Sequence, residues 1–272
     1  MTQTNGTAWD IDSAATELLA CEAERRDRVK FTDDWPELDV ETGYRIQDET
    51  LRRRLARGEK LIGVKLGLTS RAKQKRMNVD TPFVAWLTDA MILPAGDPVP
   101  QHKLIHPRIE PEIVVVMRDR LEGPGVTCAQ AMAAVDYVLG GVEIIDSRYK
   151  DFKFTAGDVI ADNASSGAFV TTGVMLPPDA LDLTTEAVLM EVDGEIVDSA
   201  TGAAVQGHPG EALALAANDL AKRGLAIEAG WIVLTGGITD AVFAPPGSSV
   251  AAHFANLGSV FVSGGEPTGE QG

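Results

Sequence analysis

Cysteine is scarce in this chain: Cys21 and Cys128 are the only two among 272 residues. Two thiols without metal-ligand spacing exclude a disulfide scaffold and point to a reducing compartment. The four histidines, His102, His106, His208 and His253, show no zinc-binding spacing either. No apolar run approaches the ~20 residues that span a bilayer. The N-terminus, MTQTNGTAWDIDSAATELL, lacks the basic and then apolar segments of a signal peptide. A soluble, cytoplasmic protein is the expectation. Basic residues are also few, 24 Lys and Arg against 40 Asp and Glu, for a formal net charge of −16. That balance argues against nucleic acid and anionic membrane as partners. It also obliges any site for an anionic small molecule to carry local positive charge or a metal. GxGxxG after a strand, GxxxxGK[ST] and GxSxG are all missing, which removes the common nucleotide-binding and serine-hydrolase readings.

What is present is ordinary globular material, 44% hydrophobic and 24% charged, enough for a sizeable core. Residues 1–60 read as a helical region packed on the rest. DIDSAATELLACEAERRD puts Ile11, Ala15, Leu18 and Leu19 on one face, with Asp10 as the cap. ETGYRIQDETLRRRLARG puts Tyr44, Leu51 and Leu55 on another and ends at Gly58. Residues 61–265 form the core, in which short β-rich runs are broken by glycine and proline. Among these runs, VDGEIV predicts a tight hairpin turning at Asp193-Gly194. Helices are expected over TCAQAMAAVDYV, opening at Thr127, and over HPGEALALAANDLAKRG, with Pro209 in its first turn. Residues 266–272 read as a flexible tail. Strands outnumber helices without regular alternation, so the class is α+β.

Two glutamates then call for an explanation. HPRIEPEIVVV places Glu110 and Glu112 around Pro111 at the mouth of an apolar run. Strand side chains alternate, so both carboxylates face one way. The plain reading is a solvated strand edge, which Pro111 would suit. Glu143 stands between Val142 and Ile144 in YVLGGVEII, where its neighbours want burial, and a buried carboxylate must be paired or must bind a metal. Three converging carboxylates without nitrogen or sulfur describe a hard-cation site for Mg²⁺ or Mn²⁺. Alternatively Arg108 or Arg148 pairs with Glu143. Lys65, in GVKLGLTS, lies in an apolar β-like run and either snorkels outward or is held for chemistry. ADNASSG, 161–167, reads as a polar loop able to contact a carboxylate.

GVKLGLTS, HPRIEPEI, VEIIDSRYKDFKF, ADNASSG and VLTGG occur in this order. Together they resemble the 2-oxopent-4-enoate hydratase and 4-oxalocrotonate decarboxylase group of the fumarylacetoacetate hydrolase superfamily, over about Gly43 to Val262. The resemblance implies a mixed β-roll or β-sandwich core with N-terminal and peripheral helices. It implies a divalent metal, Mg²⁺ or Mn²⁺, on Glu110, Glu112 and Glu143. Lys65 becomes the catalytic residue beside the substrate, with Met77, Phe83 and Ser165 also against it. A homo-oligomer and a complex with the pathway hydratase are implied as well. Asp80 and Arg148 are left without a role.

Hydratases of this group carry QPDFG after the lysine segment, and here Phe83 follows Pro82 in DTPFVAWL. The proton-transfer aspartate is thereby missing. The departure favours decarboxylation of a dicarboxylate 2-oxo acid, 2-oxo-3-hexenedioate, to 2-hydroxypenta-2,4-dienoate and CO₂ in catechol meta-cleavage. Hydration of 2-hydroxypentadienoate is the alternative, followed by a catalytically silent assembly partner. An acylpyruvate-type hydrolase fits less well, because no Glu-His pair stands upstream.

Overall fold

The computed structural model describes residues 9–70, 74–75 and 82–265; Met77, Asp80 and the tail expected at 266–272 lie outside them. Two helices lead the chain. α1 (Ile11–Glu24) begins at Asp10, whose carboxylate accepts the Ser13 N–H at 2.8 Å, and it buries Ala14, Ala15, Leu18 and Leu19. α2 (Val40–Ala56) is capped by Asp39 and followed by Gly58 at φ +104°. Its buried face differs from the expected one: Gly43, Tyr44, Ile46, Gln47 and Thr50 are buried, and Leu55 is exposed. The helix lies over a strand edge, where Gln47 Nε2 donates to Val84 O at 3.2 Å and to Ile160 O at 3.1 Å. A leucine there would take the donor from Val84 O and one of two donors from Ile160 O, which also accepts the Asp162 N–H. Among the described residues no helix is long and apolar enough to cross a membrane.

Seven strands form the larger sheet: β1 (Leu61–Gly67), β2 (Phe83–Thr88), β3 (Arg108–Met117), β4 (Val135–Ile145), β5 (Ser166–Thr171), β8 (Ile232–Gly237) and β9 (Val242–Phe243). The order is β2-β1-β8-β3-β4-β5, with β9 also against β3. Among the described strands of this sheet only β1 and β8 pair in parallel. β6 (Ala187–Val192), β7 (Glu195–Thr201), β10 (Ser249–Phe254) and β11 (Ser259–Ser263) make a four-stranded sheet in the order β11-β10-β6-β7. Asp193 and Gly194, both at positive φ, turn the hairpin between β6 and β7, as its two-residue loop demands. One core joins the two sheets, with Val64, Ile113 and Val115 from the first and Val188, Met190 and Val250 from the second. Each such aliphatic side chain contributes about 1.5–3 kcal/mol by leaving water. α3 (Cys128–Ala133) and α5 (Pro209–Ala221) pack on this core, and α4 (Ala156–Ala161) packs on α2. The architecture is α+β with curled mixed sheets.

Two expectations need correction. The helix read over TCAQAMAAVDYV stops at Ala133, and Val135 already begins β4. Periodicity cannot separate a buried helix from a strand covered on both faces, and β4 is such a strand, buried from 138 to 144. Nor does Pro111 mark an edge. β3 is central, and Pro111 sits where its second neighbour changes from β8, last paired at Glu112, to β9, first paired at Ile109. The missing N–H falls in that gap in the ladder.

Candidate metal centre

The β3–β4 register places Glu110 opposite Glu143 and Glu112 opposite Gly141. Opposed residues of an antiparallel pair share a face with Cβ atoms about 4.5–5.5 Å apart. One carboxylate oxygen from each of Glu110, Glu112 and Glu143 lies within 4.8 Å of the others. Glu112 and Glu143 are fully buried, and Glu110 is half-buried. Lys65 arrives from β1, across β8, through the pairing of Lys65 and of Val114 with Leu234. It is 2% exposed, so it does not snorkel. Its Nζ lies 2.8 Å from Glu143 Oε1 and 3.0 Å from Oε2, and the aligned hydrogen bond runs to Oε2. The arginines serve elsewhere: Arg148 binds Asp162, and the Arg108 guanidinium lies 4.2 Å over the Phe152 ring.

Among the described residues one ammonium faces three carboxylates, and the imbalance shows in Glu112 and Glu143. Burial above all, then Glu143 and Glu110, pushes the Glu112 carboxyl well above the usual range. Burial raises Glu143 to about 7 although Lys65 pulls it back, and Glu110 adds to the rise. Glu112 Oε2 accepts the Gly236 N–H at 2.6 Å, while Glu112 Oε1 and Glu143 Oε1 are buried without an aligned donor. A buried Glu112 oxygen left without a partner, in a carboxylate set holding only oxygen, fits a hard divalent cation.

The loop after β8 closes around this cluster. A Cβ on Gly237 would stand 2.3 Å from Glu110 Oε2, and one on Gly236, at φ +111°, would stand 2.0 Å from Thr69 Oγ1. Only glycine fits at either position. Phe83 pairs with Gly67, two residues along from the Lys65–Ala85 pair, so it shares the lysine's face of the sheet. It packs with Tyr44, Val159 and Ile160. Ser165 is buried, with its hydroxyl 3.4 Å from Asp162 Oδ2. A cleft of about 490 Å³ opens elsewhere, between the 90–104 segment and Asp146, Arg148 and Ser166, and is not lined by Glu110, Glu112 or Glu143.

The model of the fumarylacetoacetate hydrolase C-terminal region matches residues 60–262. The chain belongs to the fumarylacetoacetate hydrolase family. Among relatives of known activity, it is 47% identical to a 4-oxalocrotonate decarboxylase of Pseudomonas putida over 246 residues, 90% of this chain and 93% of that one. It is 39% identical to a 2-hydroxyhexa-2,4-dienoate hydratase of Comamonas testosteroni, over 87% of this chain and 90% of the relative. The solved 4-oxalocrotonate decarboxylase of P. putida G7, complexed with magnesium and adipate, superposes with a TM-score of 0.91 at 44% identity. That match covers 95% of this chain and 99% of the other. A second structure of that enzyme holds calcium and acetate. This member of the fumarylacetoacetate hydrolase family takes a divalent metal cofactor.

Sequence reasoning passed over the groups that hold these side chains in place. In VLTGG, Gly236 supplies a backbone donor to Glu112 and Gly237 the space for Glu110. The signal was there in two adjacent glycines ending an apolar strand, a pattern that marks close backbone approach.

A pH dependence follows. Glu143 keeps its proton to about pH 7 in the folded, metal-free protein, while the unfolded chain releases it near 4.5. Between those values the folded state binds more protons, so this group's contribution to stability falls as pH rises. Metal binding needs the carboxylates ionised. The rise in Tm produced by Mg²⁺ is therefore expected to be larger at pH 8 than at pH 6. Differential scanning fluorimetry checks this, and an increment that does not change with pH contradicts it.

Proposed function

We propose that the substrate is 2-oxo-3-hexenedioate, and that this chain, a Mg²⁺-dependent decarboxylase, converts it to 2-hydroxypenta-2,4-dienoate and CO₂. The observation that carries the reading is the buried cluster of Glu110, Glu112 and Glu143, with Lys65 as its one cation among the described residues. Glu110, Glu112 and Glu143 hold the metal in this reading. When bound, the ion supplies Lewis-acid stabilisation of negative charge on the 2-oxo oxygen.

The reaction needs an electron sink and no nucleophile. As the C–C bond to the departing carboxylate breaks, its electron pair moves through the C3–C4 double bond toward the 2-oxo oxygen. Lys65 places positive charge beside that oxygen and carries a proton that can be returned to the product. Its ammonium is buried and anchored on Glu143, so no side chain has to reorganise as charge develops. Ser165 donates to the carboxylate that stays. Phe83 keeps the leaving carboxylate dry, which favours neutral CO₂ over the anion.

A hydratase reading keeps some support from the relative at 39% identity. It must, however, find an acid/base group where this chain has Phe83. The product is an unstable dienol, and direct transfer to a partner hydratase within a homo-oligomeric assembly fits that chemistry. Purified protein with Mg²⁺ should release CO₂ from 2-oxo-3-hexenedioate and leave 2-hydroxypentadienoate unhydrated. Water addition to the second compound without CO₂ from the first would reverse the assignment.

A further inference from the structure

Asn163, Ala164 and Ser165 have φ of 48°, 49° and 59°. Three consecutive residues other than glycine thus stand in the left-handed region, which L-residues ordinarily visit singly and at a cost. Such strain persists only where the surroundings over-determine it. Two anchors do so here. Before the turn, the buried Asp162 carboxylate accepts from Arg148 Nε and from the Arg148 backbone N–H at 3.1 Å. Arg148 also donates from Nη2 to Asp162 O at 2.6 Å and from Nη1 to Ser166 O at 3.0 Å. Inside the turn, Asn163 Oδ1 accepts the Trp86 N–H at 2.9 Å and Asn163 Nδ2 donates to Trp86 O at 2.9 Å.

Trp86 lies on β2, the edge of the seven-stranded sheet, so the Asn163 amide takes the place of a missing strand. Covering an edge does not by itself call for strain. Val84, two residues earlier on β2, is covered by the Gln47 amide and the Tyr44 hydroxyl from the regular helix α2. The left-handed turn also lies against the strand that carries Lys65. The Ala164 Cβ lies 3.4 Å from where a Cβ on Gly67 would be, and Lys65 is two residues back on β1.

We propose that Asn163 is a positioning residue. Its amide locks the strained turn to the β2–β1 pair and so sets the separation between Ser165 and Lys65 across the site. The proposal rests on the roles given above to those two residues.

The test compares Asn163→Gly with Asn163→Ala in the full-length, Mg²⁺-loaded protein. Glycine adopts the left-handed conformation freely and lacks the amide; alanine lacks both advantages. Both variants should lose about 100-fold in kcat/KM, the scale of a misplaced reacting group. Calorimetric titration should show adipate binding to the Mg²⁺-loaded protein about tenfold weaker in both, with the Kd for Mg²⁺ itself within twofold of wild type. If Asn163→Gly stays within threefold of wild type in kcat/KM and adipate affinity, the residue merely tolerates its backbone angle and the proposal falls. Parallel loss of Mg²⁺ binding also overturns it, because the amide would then act through the fold. If wild type binds adipate but releases no CO₂, the decarboxylase reading fails, and the adipate comparison still decides whether Asn163 positions the site.

Discussion

Glu112→Gln is expected to abolish CO₂ release while making the metal-free protein more stable. The two effects have one cause. Glu112 is fully buried, and its carboxyl is pushed up by burial and by two neighbouring carboxylates. At pH 8, without metal, the fold must either bear a second buried negative charge or hold a proton that the unfolded chain releases, and among the described residues Lys65, the cation beside it, is already engaged with Glu143. A glutamine keeps the side-chain length and the acceptor for the Gly236 N–H and removes the charge. Relief of an uncompensated buried charge is worth about 1 kcal/mol or more, which raises Tm by about 2 °C or more in a chain of this size. Mg²⁺ affinity should fall at least about 100-fold, beyond the loss from disturbing an outer-shell partner, and activity should go with it. Thermal melts in EDTA at pH 8, Mg²⁺ titration and CO₂ release check the three parts. A variant that remains active removes Glu112 from the metal site. One that loses activity and metal-free stability together makes its carboxylate a structural acceptor.

Such opposition between stability and activity is the usual sign of a site built against the preferences of its own residues, and it explains what could be read from sequence. Alternation was enough to put Glu110 and Glu112 on one face, and an apolar context was enough to bury Glu143. The face is a local property of period two. The register that sets Glu110 opposite Glu143 is not local: it pairs two strands whose facing residues lie 33 positions apart in the chain. Read alone, Pro111 suggested an edge, because nothing in its neighbours reveals a ladder with a gap. Lys65 posed the same problem in reverse. Its burial was open to two readings until a carboxylate 78 positions away supplied the partner. In α2 the apolar pattern misled, because the helix buries Gln47 to satisfy two carbonyls and leaves Leu55 in water. Asn163 was legible only as part of the polar loop ADNASSG, and nothing there gave its task. Its task is defined by a left-handed backbone and by an edge strand whose position only the assembled sheet determines.

Lys65→Met separates a counter-charge from a catalytic group. Methionine has nearly the volume of the lysine stem, so packing is kept and the ammonium is lost. In the metal-free protein this orphans Glu143, which is 1% exposed. Removing one partner of a buried pair costs about 3–5 kcal/mol. The lower end is expected here, since Glu143 already holds its proton to about pH 7 with Lys65 present and can neutralise itself further without it. The sign follows from that titration. Above the raised pKa the uncompensated charge is fully felt, and below it the carboxyl is neutral, so urea unfolding should show a larger deficit at pH 8 than at pH 6. Mg²⁺ should reverse most of the deficit, and it should bind no more weakly than to wild type, because no ammonium competes for the Glu143 oxygens. Turnover should nevertheless fall about 1,000-fold, within the 10²–10⁴ range for a positioned proton donor or charge. A Mg²⁺-loaded Lys65→Met protein that keeps kcat/KM within tenfold of wild type would show that the lysine only balances the glutamates, and the proton for the product would then have to come from solvent.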